Sequence, residues 1–226
     1  MKQLIVHEKP KSPISEAYRS IRTNIQFANI DKEMKTIMFT STNKSEGKTT
    51  TISNIALTMA DAGHRVLVVD CDFRNPSIHK AFGITNKYGV TDVLLKGKDH
   101  KEYLNHIMTH DNLDVLTAGK VPRNPSELLY SNSMRKLMEE FKKDYDYVMV
   151  DSPPILPVTD ATVMATYMDG VVLVCASGAA EVESTRKAVD SLKKVGANII
   201  GAVLNRTPVK YKEYHNYYYY DDKKTD

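Results

Sequence analysis

The chain has 226 residues, of which 42% are hydrophobic, enough for one large domain with a substantial core at a prior of about 150 residues per domain. Its formal net charge of +3 and its 26% charged residues exclude a disordered chain and a dedicated polyelectrolyte binder of nucleic acid. The longest apolar runs, Val171 to Ala176 and Ile199 to Leu204, fall well short of the ~18 residues of a membrane span, and Cys71 and Cys175 are too few and too far apart for a disulfide scaffold or a zinc site.

Leu4 to Val6 is too short for a signal-peptide core, so a cytoplasmic chain is expected, with any membrane association supplied by a partner. Ser12 as N-cap and Pro13 at the first helical position then predict a helix whose Ile14, Tyr18, Ile21, Ile25 and Ala28 form a core-seeking face. Glu16, Arg19 and Arg22 run along its flank at three-residue spacing. Beyond it, β-branched runs alternate with helical patterns. Strands are predicted near Thr36 to Thr40, Val66 to Asp70, Leu113 to Thr117, Tyr147 to Asp151, Val171 to Ala176 and Ile199 to Leu204. Helices are predicted near Lys48 to Ala62, Met134 to Lys143, Asp160 to Tyr167 and Glu181 to Val195, with Gly63 and Gly196 as stops. The alternation predicts an α/β fold with a mainly parallel β-sheet flanked by helices. Residues 1–30 are expected to form an N-terminal segment and helix, 31–208 a single domain, and 209–226 a flexible tail. That tail holds six of the 13 tyrosines between Tyr211 and Tyr220, interleaved with Lys212, Glu213, His215 and Asn216. Its low complexity and polarity argue against a buried strand.

The first strand runs into Ser41-Thr42-Asn43-Lys44-Ser45-Glu46-Gly47-Lys48-Thr49-Thr50 and then a helix. A phosphate-binding loop needs inward backbone N–H groups, a helix N-terminus behind them, a lysine for the outer phosphates and a hydroxyl for magnesium. Gly47, Lys48 and Thr49 supply the end of that pattern, whereas Thr42 stands where its first glycine is usual. Two further strands end in acids: Val66 to Val69 leads into Asp70-Cys71-Asp72, and Tyr147 to Val150 leads into Asp151. Carboxyl ends of parallel strands are where open α/β sheets bind ligands. The three acids and the loop together point to ATP and magnesium chemistry in a P-loop NTPase-type domain.

The phosphate loop, Val69-Asp70-Cys71-Asp72-Phe73-Arg74-Asn75-Pro76, Val150-Asp151-Ser152-Pro153-Pro154, the segment Glu16-Ala17-Tyr18-Arg19-Ser20-Ile21-Arg22-Thr23-Asn24-Ile25 and the terminal tyrosine cluster together resemble a bacterial protein-tyrosine kinase. More closely, the chain resembles the soluble kinase subunit of Gram-positive capsule and exopolysaccharide systems. The resemblance runs from about Ser12 into the tail. It implies that Ser45, Glu46, Gly47, Lys48, Thr49 and Thr50 bind ATP, with Lys48 on the outer phosphates, while Thr49, Asp72 and Asp151 hold Mg2+. Asp70 is then the candidate base for a phenol whose pKa lies near 10. The resemblance further implies autophosphorylation in trans on Tyr211, Tyr214, Tyr217, Tyr218, Tyr219 and Tyr220. Tyr211 and Tyr214 are expected to be poorer acceptors because they lie nearest the domain. Glu16, Arg19 and Arg22 match the family's subunit-contact motif, implying a closed ring of copies. Also implied are a separate membrane activator protein, protein substrates of polysaccharide synthesis and a phosphotyrosine phosphatase. Asn205 is either an adenine contact, as in related P-loop ATPases, or an ordinary strand-end turn residue.

Two other readings compete. A cell-division or partition-type ATPase switch carries a second lysine five positions before the phosphate-loop lysine; here that position is Asn43, with Lys44 one residue off. A non-catalytic interaction subunit would use nucleotide only to fold or assemble.

Overall fold

The computed structural model describes residues 4–30 and 33–208. In chain order the elements are α1 (Ile5–Glu8), α2 (Pro13–Ala28), β1 (Thr36–Ser41), α3 (Lys48–Asp61), β2 (Val66–Asp70), α4 (Ile78–Phe82), α5 (Val90–Lys96), a 3-10 turn (His100–Tyr103), β3 (Asn105–His106), β4 (Leu113–Leu116), α6 (Pro125–Tyr130), α7 (Asn132–Asp144), β5 (Tyr147–Asp151), α8 (Asp160–Ala165), β6 (Gly170–Ala176), α9 (Val182–Lys194) and β7 (Ile199–Asn205). All six predicted strands are present, within a residue or so of the expected ends. The short elements α1, α4, α5, α6 and β3 carry too few periodic residues to announce themselves in the sequence.

The seven strands order as β3-β4-β2-β5-β1-β6-β7. Every pairing is parallel except that of β3 with β4. Helices on both faces bury the central strands completely, which is why β1, β2 and β5 read as continuous apolar runs rather than alternating ones. One face packs Phe39, Ile52, Ile55, Leu57, Val68 and Met149 beneath α1 to α4. The other packs Met38, Val69, Val150, Phe141, Met164 and Leu192 beneath α5 to α9. In α7 the buried Met134, Leu137, Met138 and Phe141 recur at three- and four-residue spacing, and the Ser131 hydroxyl caps the helix by accepting from the Met134 N–H at 3.1 Å. Burying such a side chain contributes roughly 1.5 to 3 kcal/mol, several times an exposed ion pair, so apolar packing rather than surface charge docks this helix.

Helix α2 differs from expectation. Tyr18 and Ile25 are buried and Ile21 partly so, but Ile14 is 43% exposed and Ala28 also faces outward. The buried stripe instead takes in Ser15, whose hydroxyl donates to the Lys9 carbonyl at 2.7 Å and fastens the helix start to the chain before it. Cys71 is buried as expected, whereas Cys175 is only partly so because it lies next to the open edge strand β7. No helix among the described residues is long and apolar enough to cross a membrane.

Candidate active site

The loop between β1 and α3 closes on Gly47, which has φ +92°. A Cβ there would stand 2.0 Å from Asn205 Nδ2, so both backbone and space demand glycine. Thr42 is not in the left-handed region, which Ser45 and Arg206 alone occupy among the described non-glycine residues; threonine therefore stands at the usual glycine position without backbone strain. The Asn205 side chain donates to the Glu46 carbonyl at 3.0 Å and accepts the Arg206 N–H at 2.9 Å. The last strand is thereby stitched to the phosphate loop. Glu46 turns inward, accepting the Asn43 N–H at 3.1 Å, and burial raises its carboxyl above the usual range. Lys48, the first residue of α3, is 7% exposed. The first-turn N–H groups of a helix have no partner inside the helix, and an anion at that end would satisfy both them and the helix dipole. Ser45 and Thr50 lie on the exposed side.

Parallel pairing of β2 and β5 sets Asp70 directly beside Asp151. Thr49 Oγ1 donates to Asp151 Oδ2 at 2.6 Å, and since its one proton is thus spent, the Ser77 hydroxyl 2.7 Å away donates to Thr49. The other oxygen, Asp151 Oδ1, is buried without a partner among the described residues. Burial raises the Asp151 carboxyl to about 6, with Lys48 and the Thr49 bond pulling it down. Asp72 is 7% exposed; its Oδ1 accepts the Asn75 N–H at 3.0 Å. Burial raises it too, against the Asn75 N–H and the Lys48 charge.

Asp70 is fully buried. Its Oδ1 accepts the Asp72 N–H at 3.2 Å, and its Oδ2 accepts the N–H groups of Ser77 at 2.9 Å and Ile78 at 3.0 Å. Burial, reinforced by the neighbouring Asp151 charge, lifts it well above the ordinary carboxylate range. The sequence singles out Asp70 as a candidate base; what it does not show is that Asp70 fastens the loop after β2. Ser77 was missed altogether; the available signal was a hydroxyl residue after Pro76 at a helix start.

A divalent cation requires hard oxygen donors with charge left to satisfy. Thr49 and Asp151 offer such oxygens side by side, and Asp72 is near enough for its charge to act on Asp151; the orphaned Asp151 Oδ1 is the clearest sign, since a buried oxygen without a donor is costly. The residues present fit magnesium.

The α2 flank is not uniform. Arg19 pairs with Glu16 at 2.6 Å and also donates to the Pro10 carbonyl at 2.6 Å, both on the surface. Arg22 instead folds onto α3, donating to the Thr58 carbonyl at 2.9 Å, with its Nε buried. Tyr211, Tyr214, Tyr217, Tyr218, Tyr219 and Tyr220 lie outside the described residues.

Residues 34–200 match the family model described as an AAA domain. The chain is 43% identical to "Tyrosine-protein kinase YwqD" of Bacillus subtilis (strain 168) over 222 residues, 98% of this chain and 92% of that protein. Among solved structures it is similar to the chimerical protein CapA2B2, at TM-score 0.88 and 38% identity over 92% of each chain. It is also similar to the kinase domain of Escherichia coli tyrosine kinase ETK, at TM-score 0.87 and 32% identity over 92% of this chain and 81% of that one.

Proposed function

Because the chain belongs to the bacterial tyrosine-protein kinases, we propose that it transfers the terminal phosphoryl group of ATP to tyrosines in the tail of a neighbouring copy, using the site at the carboxyl ends of β1, β2 and β5. The observation that carries this reading is the Thr49 to Asp151 bond, with Asp151 Oδ1 left open beside it. It joins the start of the helix after the loop to the acid that ends β5.

Lys48 and the N–H groups of the loop bind the outer phosphates and hold the donor in line. Thr49, Asp151 and Asp72 would hold magnesium, whose charge would offset that of the transferred phosphoryl group. Asp70 takes the phenolic proton. Its raised proton affinity suits that task, on one condition: the Ser77 and Ile78 N–H bonds to Oδ2 must open as the tyrosine enters. Asn205, with both side-chain polar groups used within the chain, serves first to brace the loop from β7, and meets adenine only if the Glu46 bond exchanges.

The acceptors are Tyr217 to Tyr220, with Tyr211 and Tyr214 nearer the domain and less able to reach a neighbour. Glu16 and Arg19 form the exposed part of the proposed subunit contact in a closed ring, and Arg22 shapes it from beneath. From the resemblance come the remaining roles: activation by a separate membrane protein that recruits the kinase from the cytoplasm, substrates in capsule or exopolysaccharide synthesis, and reversal by a phosphotyrosine phosphatase. The competing switch ATPase is disfavoured at Asn43, an exposed asparagine at the position where that class places its second lysine.

Incubation of the purified chain with magnesium and ATP, followed by mass-spectrometric mapping, separates the readings. Phosphate on the tail tyrosines is expected. Release of inorganic phosphate without protein phosphorylation identifies a switch, and nucleotide binding without turnover an interaction subunit.

A further inference from the structure

We propose that Asp160 is a positioning residue for the metal-holding carboxylates, acting through Arg74 to fix the loop after β2 against the loop after β5. The inference rests on the reading of Asp72 and Asp151 as magnesium ligands. Arg74 Nε donates to Asp160 Oδ2 at 2.7 Å and Nη2 donates to Oδ1 at 3.1 Å, a bidentate pair. Nη2 also donates to Ser126 Oγ at 3.0 Å, and the Ser126 hydroxyl in turn donates to Asp160 Oδ1 at 2.7 Å. Three segments therefore meet at one carboxylate: the loop after β2, the first turn of α6 and the first residue of α8.

Two features make this more than a surface ion pair. The Asp160 side chain is 1% exposed, so its charge is enclosed and its partners are fixed by geometry. Arg74 also sits inside the tight turn that Asp72 closes on Asn75 through both its backbone carbonyl, at 3.1 Å, and its carboxylate. Holding the guanidinium thus holds Asp72. On the other side, Asp160 ends the segment that leaves Asp151 through Pro153, Pro154 and Pro157, a stretch with restricted backbone freedom. The clamp therefore sets how far apart Asp72 and Asp151 stand. Although burial opposes it, the Arg74 and Ser126 hydrogen bonds keep the Asp160 carboxyl below its usual range, which maintains the ion pair at neutral pH.

The test is Asp160→Asn in the full chain, with Mn2+ as the probe. Its affinity in the presence of ADP is read by electron paramagnetic resonance, alongside the Mg2+ concentration giving half-maximal tyrosine phosphorylation. Removing a group that orients metal ligands typically weakens binding ~10- to 100-fold. A Mn2+ dissociation constant raised at least ~tenfold is expected, with the melting temperature within a few degrees of wild type and the ATP KM at saturating Mg2+ changed less than ~twofold. Arg74→Lys, which keeps the charge but loses the fork, should show the same shift. The double variant should be no worse than either single change. Unchanged Mn2+ affinity in folded Asp160→Asn and Arg74→Lys overturns the inference, as does a loss of melting temperature alone. Should wild type itself bind no Mn2+ with ADP, the underlying metal assignment fails instead, so the two failures are distinguishable.

Discussion

The Thr49 hydroxyl donates to Asp151 Oδ2 across 2.6 Å, joining the first turn of α3 to the end of β5. The proposed magnesium site is read from that bond: a hydroxyl and a carboxylate converge while the second carboxylate oxygen has no partner among the described residues. Thr49→Ser preserves the oxygen and should keep most tyrosine phosphorylation. Thr49→Val keeps the shape and removes the oxygen, so metal affinity measured with Mn2+ and ADP should fall ~10- to 100-fold. Equal affinities in the two variants would remove Thr49 from the ligand set.

The raised Asp151 carboxyl gives stability an unusual pH dependence. Its folded pKa of about 6 lies above the ordinary 3.8, so the folded state keeps a proton that the unfolded chain releases. The contribution is therefore fully present below the unfolded value and lost as pH rises through the folded one. In EDTA and without nucleotide, stability should fall as pH rises between roughly pH 4 and 6, by on the order of 3 kcal/mol from this group. Asp70, raised chiefly by its burial and further by the Asp151 charge, acts in the same direction. Asp151→Asn should flatten the slope in a thermal melt series. A wild-type stability that climbs across that window contradicts the assignment.

Asp70 and Asp72 should separate in kinetics. Asp70→Asn, if Asp70 is the base, retains Mn2+ and ADP binding while kcat drops ~10²- to 10⁴-fold. Asp72→Asn should instead weaken the metal and raise the Mg2+ needed for half-maximal rate. Loss of nucleotide binding in Asp70→Asn would show that its three backbone hydrogen bonds, and not proton transfer, are its whole role.

The strands were legible because each is a short apolar run ending in chemistry: Val66 to Val69 before Asp70, and Tyr147 to Val150 before Asp151. The place of Gly47, Lys48 and Thr49 was legible because a glycine that needs a positive φ between a strand and a helix marks the turn into α3. What escaped was tertiary. Neither the burial of Ser15 nor the inward turn of Arg22 follows from helical spacing, since both depend on which carbonyls α1 and α3 present. Asp160 and Ser126 lie 86 and 52 residues from Arg74, and no local pattern joins them. Ser77 matters only because α4 starts where it can reach Thr49.

On α2 the charged residues should divide. Glu16→Ala and Arg19→Ala remove an exposed pair contributing roughly 0 to 1 kcal/mol to folding, so light scattering should report smaller assemblies with little change in melting temperature. Arg22→Ala leaves the Thr58 carbonyl without its guanidinium partner and should cost about 1 to 3 kcal/mol. Unchanged assembly in the Glu16 and Arg19 double variant would place the subunit contact elsewhere.

Phosphotransfer between two marked copies tests the central claim most directly. The acceptor carries Lys48→Met, which removes the phosphate contact but keeps a long apolar stem. The donor has an intact site and phenylalanine at Tyr211, Tyr214 and Tyr217 to Tyr220. After incubation with magnesium and ATP, intact-mass spectrometry should find phosphate on the acceptor's tail, and none on the acceptor incubated alone. An acceptor of unchanged mass beside a donor that consumes ATP would contradict a tyrosine kinase acting in trans.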